Sequence, residues 1–311
     1  MISIYSFWIK GSLFGWRKRS LFRELQEAGS LRHLLKCGIH LLNPETLAEI
    51  RDWLIAQQTK EGGFPDRAGK CDLYYTLFGF FLSEALEADQ VLPALKAFAG
   101  RTACAEHPAA IDLFCITILN ASLFPHDART RQFAGEVRKI MEERTLPQSE
   151  YAPFLIILSL LSVQDYPGAF MALKAFEEKR SGAEKPCTVV AAQQVVACLK
   201  TGKTFVVGGV NQPGALDLPE PFRPFYRENG GFAALKQTRE PDLLSTAAAL
   251  YALRFMAYDL RLIRPDCMNF INGLYVDGGF SAVQADTVTD VEYTFYGLLA
   301  LGALNGGYDQ D

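Results

Sequence analysis

A chain of 311 residues that is 49% hydrophobic and 12% aromatic has ample apolar material for a sizeable core, which excludes a disordered polymer. Its 31 basic and 35 acidic residues leave a formal charge of −4 without a long run of one sign, so it carries no electrostatic footprint for nucleic acid. Seven cysteines without framework spacing read as reduced thiols in a cytoplasmic protein, and four histidines with no His pair at i, i+4 and no CxxC give no metal cage from local spacing.

From the start, residues 1–19 mix Ile2, Ile4, Phe7, Trp8, Phe14 and Trp16 with Lys10, Arg17, Lys18 and Arg19. This composition suits either an arm packed on the domain or a segment in peripheral contact with a membrane. No apolar run is long enough to span a bilayer, and no signal-peptide pattern opens the sequence. Residues 1–45 are expected to form an N-terminal extension and residues 46–311 a single helical domain.

Within that domain a unit recurs. Gly62-Gly-Phe64 leads to Asp72-Leu-Tyr-Tyr-Thr76, Gly230-Gly-Phe232 to Asp242-Leu-Leu-Ser-Thr246, and Gly278-Gly-Phe280 to Asp290-Val-Glu-Tyr-Thr294. Paired glycines end one helix and permit a left-handed turn, and the Asp can accept from the free N–H groups of the next helix. The helix after each Asp is apolar nearly all round, as an inner helix must be; the one before the first turn, Thr46 to Gln57, carries charges on one face and belongs outside. Weaker copies begin at Asp112, Tyr151 and Cys187, which gives six units. Six helix pairs predict a closed (α/α)6 toroid, because each inner helix needs a neighbour on both sides. Residues 201–228 interrupt the pattern with four prolines; they are expected to be a surface connection or a lid beside the ring.

The Gly-Gly-Phe…Asp-x-x-x-Thr unit resembles that of protein prenyltransferase β subunits and squalene-type terpene cyclases. The resemblance extends from about residue 46 to the end, and the segment Gly62 to Gly69 with Tyr75-Thr-Leu-Phe-Gly79 is similar to the β subunit of a geranylgeranyl-transferring enzyme. That family implies an apolar central cavity for an isoprenoid diphosphate, a zinc ion that activates the acceptor thiol, and a helical partner subunit. Its zinc-binding His falls at Tyr75 and its zinc-binding Cys at Glu292, whereas its Asp is kept as Asp290. Tyr293 matches a Tyr that lies near the lipid diphosphate. Carboxylate and phenol make a poor zinc set, so no metal cofactor is expected, although magnesium could accompany a diphosphate. A rebuilt cage from Cys71, Asp72, His107 and Cys115 is conceivable, but nothing in the spacing demands it.

Candidate site residues follow from these matches. The basic pairs Arg67 with Lys70 and Lys236 with Arg239 stand ahead of a capping Asp, where cations could grip a prenyl diphosphate. Tyr74, Tyr75, Phe78, Phe295 and Tyr296 supply aromatic lining for an isoprenoid chain. Asp290, Glu292 and Tyr293 are the catalytic candidates. In the cyclases the middle acid of the corresponding motif protonates an alkene, and here Glu292 occupies that place. Prenyl transfer to an acceptor without the usual zinc site, a protonation-initiated cyclase using Glu292, and a non-catalytic lipid-binding or scaffold toroid are three readings that the residues leave open.

Overall fold

In the computed structural model, the structure describes residues 31–103, 109–143, 152–165, 167–169, 171–172, 184–201 and 218–305. The segment 1–19, and with it the expected membrane contact, lies outside the described residues. Eleven helices lie among the described residues: α1 (Leu31–Ile39), α2 (Pro44–Gln57), α3 (Leu73–Ala85), α4 (Leu92–Thr102), α5 (Ala110–Leu123), α6 (Ala128–Glu142), α7 (Ala152–Ser162), α8 (Cys187–Thr201), α9 (Leu243–Phe255), α10 (Arg264–Asn272) and α11 (Val291–Asn305). Two short 3-10 turns, Asp89–Val91 and Leu260–Leu262, and five strands of two or three residues complete them.

The architecture is an all-α toroid. Inner helix α3 packs beside α5, α5 beside α7, α8 beside α9 and α9 beside α11, and α11 of the last unit packs beside α3 of the first. Outer helices cover them, with α2 against α3, α6 against α5 and α7, and α10 against α11. The expected polarity holds. In α2 only Ile50 and Leu54 are buried, whereas α11 is buried from Val291 to Leu304 apart from Tyr293. None of the described helices is long and apolar enough to cross a membrane.

Each recognisable unit is fastened in the same way. The polar loop between Phe and Asp is a hairpin: β1 (Phe64–Pro65) pairs with β2 (Cys71–Asp72), and β4 (Gly279–Ser281) pairs with β3 (Tyr275–Val276) and β5 (Thr289–Asp290). Phe64 stands opposite Asp72, Phe280 opposite Asp290, and Phe232 bridges Asp242. Strands of two residues are too short to show alternation, which is why the sequence reads as a loop there. The Thr four residues into the motif then accepts from the Phe N–H, at 2.9 Å for Thr76 and Phe64, 2.9 Å for Thr246 and Phe232, and 3.1 Å for Thr294 and Phe280. Each Asp caps its helix: Asp72 accepts from Tyr75 N at 3.0 Å, Asp242 from Ser245 N at 2.8 Å and Asp290 from Tyr293 N at 2.8 Å. The first glycine of each pair has positive φ, +96° at Gly62, +83° at Gly230 and +88° at Gly278. The Phe ring of the hairpin lies over the inner helix, so a Cβ at Gly79 would come within 2.2 Å of the Phe64 ring and one at Gly297 within 2.6 Å of Phe280.

The weaker copies differ in detail. Asp112 lies inside the first turn of α5 and does not cap it, because Ala109 holds the cap position. Thr117 bonds to the Leu113 carbonyl at 2.6 Å, so the Asp stands one residue too early to repeat the pattern. The stretch before α9 is not a surface connection where the structure describes it. Leu218, Phe222 and Phe225 are fully buried, and the Phe222 and Phe232 rings meet edge to face.

The ring also closes through its ends. Trp53 of α2 lies against Gly278 and Gly279, and the Tyr275 hydroxyl donates to Glu49 at 2.6 Å. Helix α1, expected in an extension, crosses α11 so closely that a Cβ at Gly302 would meet the Leu34 carbonyl oxygen at 1.8 Å.

Thr246→Val leaves the buried Phe232 N–H without its acceptor and is expected to cost about 1–3 kcal/mol, whereas Thr246→Ser keeps the hydroxyl and loses only a methyl group, about 1 kcal/mol. Urea unfolding of the two variants checks this order; equal midpoints would remove the fastening role of the hydroxyl.

Candidate functional site

The site lies where the first and sixth units meet. At the tip of the β1–β2 hairpin, Asp66 Oδ1 accepts from Ala68 N and Lys70 N at 2.9 Å each, a local turn that fixes the backbone around Arg67. From there the guanidinium reaches the sixth unit. Its Nε donates to Asp290 Oδ2 at 2.7 Å, its Nη1 to Asp286 Oδ2 at 2.9 Å, and its carbon stands 5.0 Å from the centre of the Tyr293 ring.

Asp290 is 6% exposed and uses one oxygen to cap α11 and the other to receive Arg67. Burial raises its pKa, and the Tyr293 N–H and Arg67 offset that only in part. For Asp286, the Val288 N–H and Arg67 hold the carboxyl below its ordinary value despite some burial. Burial opposes the charge of Arg67, but the two carboxylates outweigh it and raise the guanidinium pKa further.

Glu292 lies in the first turn of α11 and is 7% exposed. Tyr74 OH, from the first turn of α3, donates to its Oε1 at 2.7 Å. Desolvation pushes the Glu292 pKa up to about 7, and the charge of Asp290 adds to this; hydrogen bonds from Tyr74 and Tyr75 and the charge of Arg67 pull the other way. The Tyr75 phenol is raised in turn by burial and by the charges of Glu292 and Asp290. From Tyr74 an aromatic cluster continues into the core. Phe78 lies 4.9 Å from Phe295 and 5.6 Å from Tyr296, and Tyr74 meets Phe78 edge to face at 4.9 Å. Phe78 and Phe295 are buried in this packing, and Tyr296 is 7% exposed.

The fold therefore brings Arg67, Tyr74, Tyr75, Asp290, Glu292 and Tyr293 into one cluster. Lys70 is exposed on the hairpin tip, and Lys236 and Arg239 are exposed on the loop before α9, outside the hydrogen-bonded group. Asp286 is the residue that sequence reasoning missed. The charge contrast between the two hairpin loops, Arg67 and Lys70 in the first unit against Asp286 in the sixth, is the signal that could have found it.

Zinc does not fit this donor set. Carboxylates and phenols lack the imidazole and thiolate that favour it, and both Asp290 oxygens are already engaged. Among the described residues no group of three or more His, Cys, Asp or Glu could hold a metal ion. Of the alternative cage, His107 lies outside the described residues, and burial, with Asp112 and Asp72, holds the Cys115 thiol strongly protonated.

A toroid of paired helices with a buried acid at its closing seam is thus the class that fold and site define. The chain belongs to the prenyltransferase alpha-alpha toroid domain family, whose pattern it matches over residues 3–100 and 170–309. The unmatched stretch between them holds α5 to α7, where the Gly-Gly-Phe hairpin is absent from the sequence. Searches of curated proteins and of solved structures returned no match.

Two outcomes are expected from substitution. The folded Glu292 keeps its proton up to about 7, whereas an unfolded chain releases it near 4.5, so its contribution to stability falls as pH rises through that window. Glu292→Gln does not titrate there, and its stability relative to wild type should improve by roughly 3 kcal/mol between pH 4.5 and 8, read from urea unfolding at several pH values. A pH-independent difference would contradict the buried, raised carboxyl. Arg67→Met strips two carboxylates of their cation and, after allowance for the 39% exposure of the arginine, is expected to cost about 1–2 kcal/mol, against under about 0.5 for Lys70→Met. Thermal melts at neutral pH distinguish the two.

Proposed function

We propose that this protein is an isoprenoid-handling enzyme of the prenyltransferase type, in which Glu292 takes the acceptor proton that zinc-dependent relatives manage through a metal. The observation that carries this reading is the Glu292 carboxyl itself: buried, hydrogen-bonded by Tyr74 and pushed up to about 7. Proton transfer is most effective when the pKa of the group lies near the working pH. As the base, ionised Glu292 removes the proton of an acceptor such as a thiol. The acceptor atom bonds to the prenyl carbon, and the carbon–oxygen bond breaks with its electron pair leaving on the diphosphate.

The other residues have supporting parts in this reading. The half-buried Tyr75 offers apolar surface to the isoprenoid chain, whereas Phe78 and Phe295, expected as lining, are sealed in the core and with Tyr296 back the site rather than face a lipid; the exposed Lys70, Lys236 and Arg239 are available to a diphosphate and any magnesium it carries. Arg67 is already shared by Asp286 and Asp290, so its task is to hold the seam and keep Asp290 ionised in place. A cyclase reading has one observation in its favour, the aromatic cluster that runs from Tyr74, the partner of Glu292, through Phe78 to Tyr296, since aromatic faces stabilise a carbocation. Against it, an acid that gives up its proton at about 7 is weak for an alkene, so the base role is preferred.

Native mass spectrometry with farnesyl and geranylgeranyl diphosphate, followed by transfer assays to thiol acceptors, tests the proposal. Expected are lipid binding by wild type and by Glu292→Gln alike, a transfer rate that rises with pH through about 7, and a loss of about 10²–10⁴-fold in the variant. A cyclic prenyl diphosphate, formed with its diphosphate retained, would establish the cyclase instead. A protein that ignores both lipids would be a scaffold.

A further inference from the structure

The residue two places after the capping Asp is Tyr74 in the first unit and Glu292 in the sixth. Repeats arranged around one axis turn equivalent positions toward each other, and these two meet across the seam with 2.7 Å between Tyr74 OH and Glu292 Oε1. The tyrosine ring is held edge to face by Tyr75 at 5.8 Å and Phe78 at 4.9 Å, so its hydroxyl has little freedom to leave. We propose that Tyr74 is a positioning residue that keeps the Glu292 carboxyl in one place in both of its protonation states and sets how tightly the carboxyl holds its proton.

The argument rests on what a phenol can do that other partners cannot. Lysine and arginine only donate, so they hold a carboxylate well and a neutral acid poorly. A backbone carbonyl only accepts and would hold the acid alone. A phenol O–H donates to the carboxylate, and its oxygen accepts from the O–H of the neutral acid, so the contact survives the gain and loss of a proton. A group that must repeat proton transfer needs such a partner, because a carboxyl that swings away on titration loses its aim.

The other charges around Glu292 fit this division of labour. On its own helix and the strand before it stand Tyr293 and Asp290, the latter with a repelling charge. From the loop before β5 comes Asp286, and from the β1–β2 hairpin Arg67, whose donors go to Asp286 and Asp290. From α3 and its cap come Tyr74, Tyr75 and Asp72. Asp286 and Asp290 thereby draw the arginine away from Glu292, which would otherwise lose its proton to a direct ion pair. The two phenols are left as its immediate hydrogen-bond partners, and the Tyr74 bond is the stronger of the two.

The consequence for turnover rests on the acid–base reading of Glu292, but the clamp is a property of the lipid-free protein and is measured there. With glutamate side-chain carboxyls labelled with 13C, NMR titration follows Glu292, its signal assigned by its loss in Glu292→Gln. Tyr74→Phe removes a donor to the ionised form and is expected to raise the titration midpoint by about one pH unit, a tenfold tighter proton, with a smaller rise for Tyr75→Phe. A second measurement strengthens the phenol instead of removing it. Replacing tyrosines throughout with 3-fluorotyrosine strengthens the phenol as a donor, so the midpoint should fall, and this fall should be smaller in Tyr74→Phe. An unmoved or lowered midpoint in Tyr74→Phe, or no fall with the fluorinated protein, overturns the clamp. Normal transfer by Glu292→Gln beside a shifted midpoint would sink the acid–base reading and leave the clamp standing; the reverse pattern would do the opposite.

Discussion

A buried threonine hydroxyl joins hairpin to inner helix in three of the six units, and the arrangement of the site depends on that bond. Thr76, Thr246 and Thr294 each satisfy the N–H of a phenylalanine whose own strand pairs with the capping Asp. The two motifs, Gly-Gly-Phe and Asp-x-x-x-Thr, are therefore one structural device: the glycines make the turn, the Phe ring packs on the inner helix, and the Thr fixes hairpin to helix. An unpaired N–H in such a core costs more than the bond itself contributes, which makes the hydroxyl hard to replace. Once hairpin and helix are fixed, the residues just after each Asp have fixed directions, and these are the positions from which Tyr74, Tyr75, Glu292 and Tyr293 project.

Much of this could be read in the sequence because it is written locally. Two adjacent glycines, a cap and an apolar helix need only neighbouring residues to be recognised, so six units and inner and outer helices followed from the pattern. The pairing of Arg67 with Asp290 spans 223 positions and leaves no local trace. Its partner Asp286 is equally inconspicuous in the sequence, because its charge matters only once the ring brings the two hairpins together. Asp112 has the residue type of the motif but not its register: the helix already begins at Ala110, so the Asp lies within the first turn and Ala109 takes the cap position. In residues 218–225 the prolines exclude regular helix but do not prevent Leu218, Phe222 and Phe225 from filling the core.

The burial of Glu292 was not fixed by the sequence either, since an acid in the first turn of a helix is favourable in solvent as well. What decides between the two is whether a neighbour covers it. Here closure supplies the cover, because α3 from the start of the ring packs beside α11 from its end and places Tyr74 over the carboxyl. Repeat symmetry contained that fact in outline, as Tyr74 and Glu292 hold equivalent places in their units.

The electrostatics of the seam then explain why this acid, among several, retains its proton near neutrality. Asp286, Asp290 and Glu292 gather around a single cation, Arg67, and three ionised carboxylates against one guanidinium would leave two negative charges uncompensated in a partly dry site. Asp286 is the more exposed and keeps its charge readily, and Asp290 is buried but bound to both Arg67 and a helix N-terminus. Glu292 is just as buried, and its nearest partners are phenols, which are neutral. Protonating it is the cheapest relief of the imbalance, so the raised pKa follows from how the one arginine is shared. The same reasoning makes Arg67 a regulator of Glu292 without touching it: any change that turns the guanidinium from Asp290 toward Glu292 would convert a titratable acid into an ordinary ion pair.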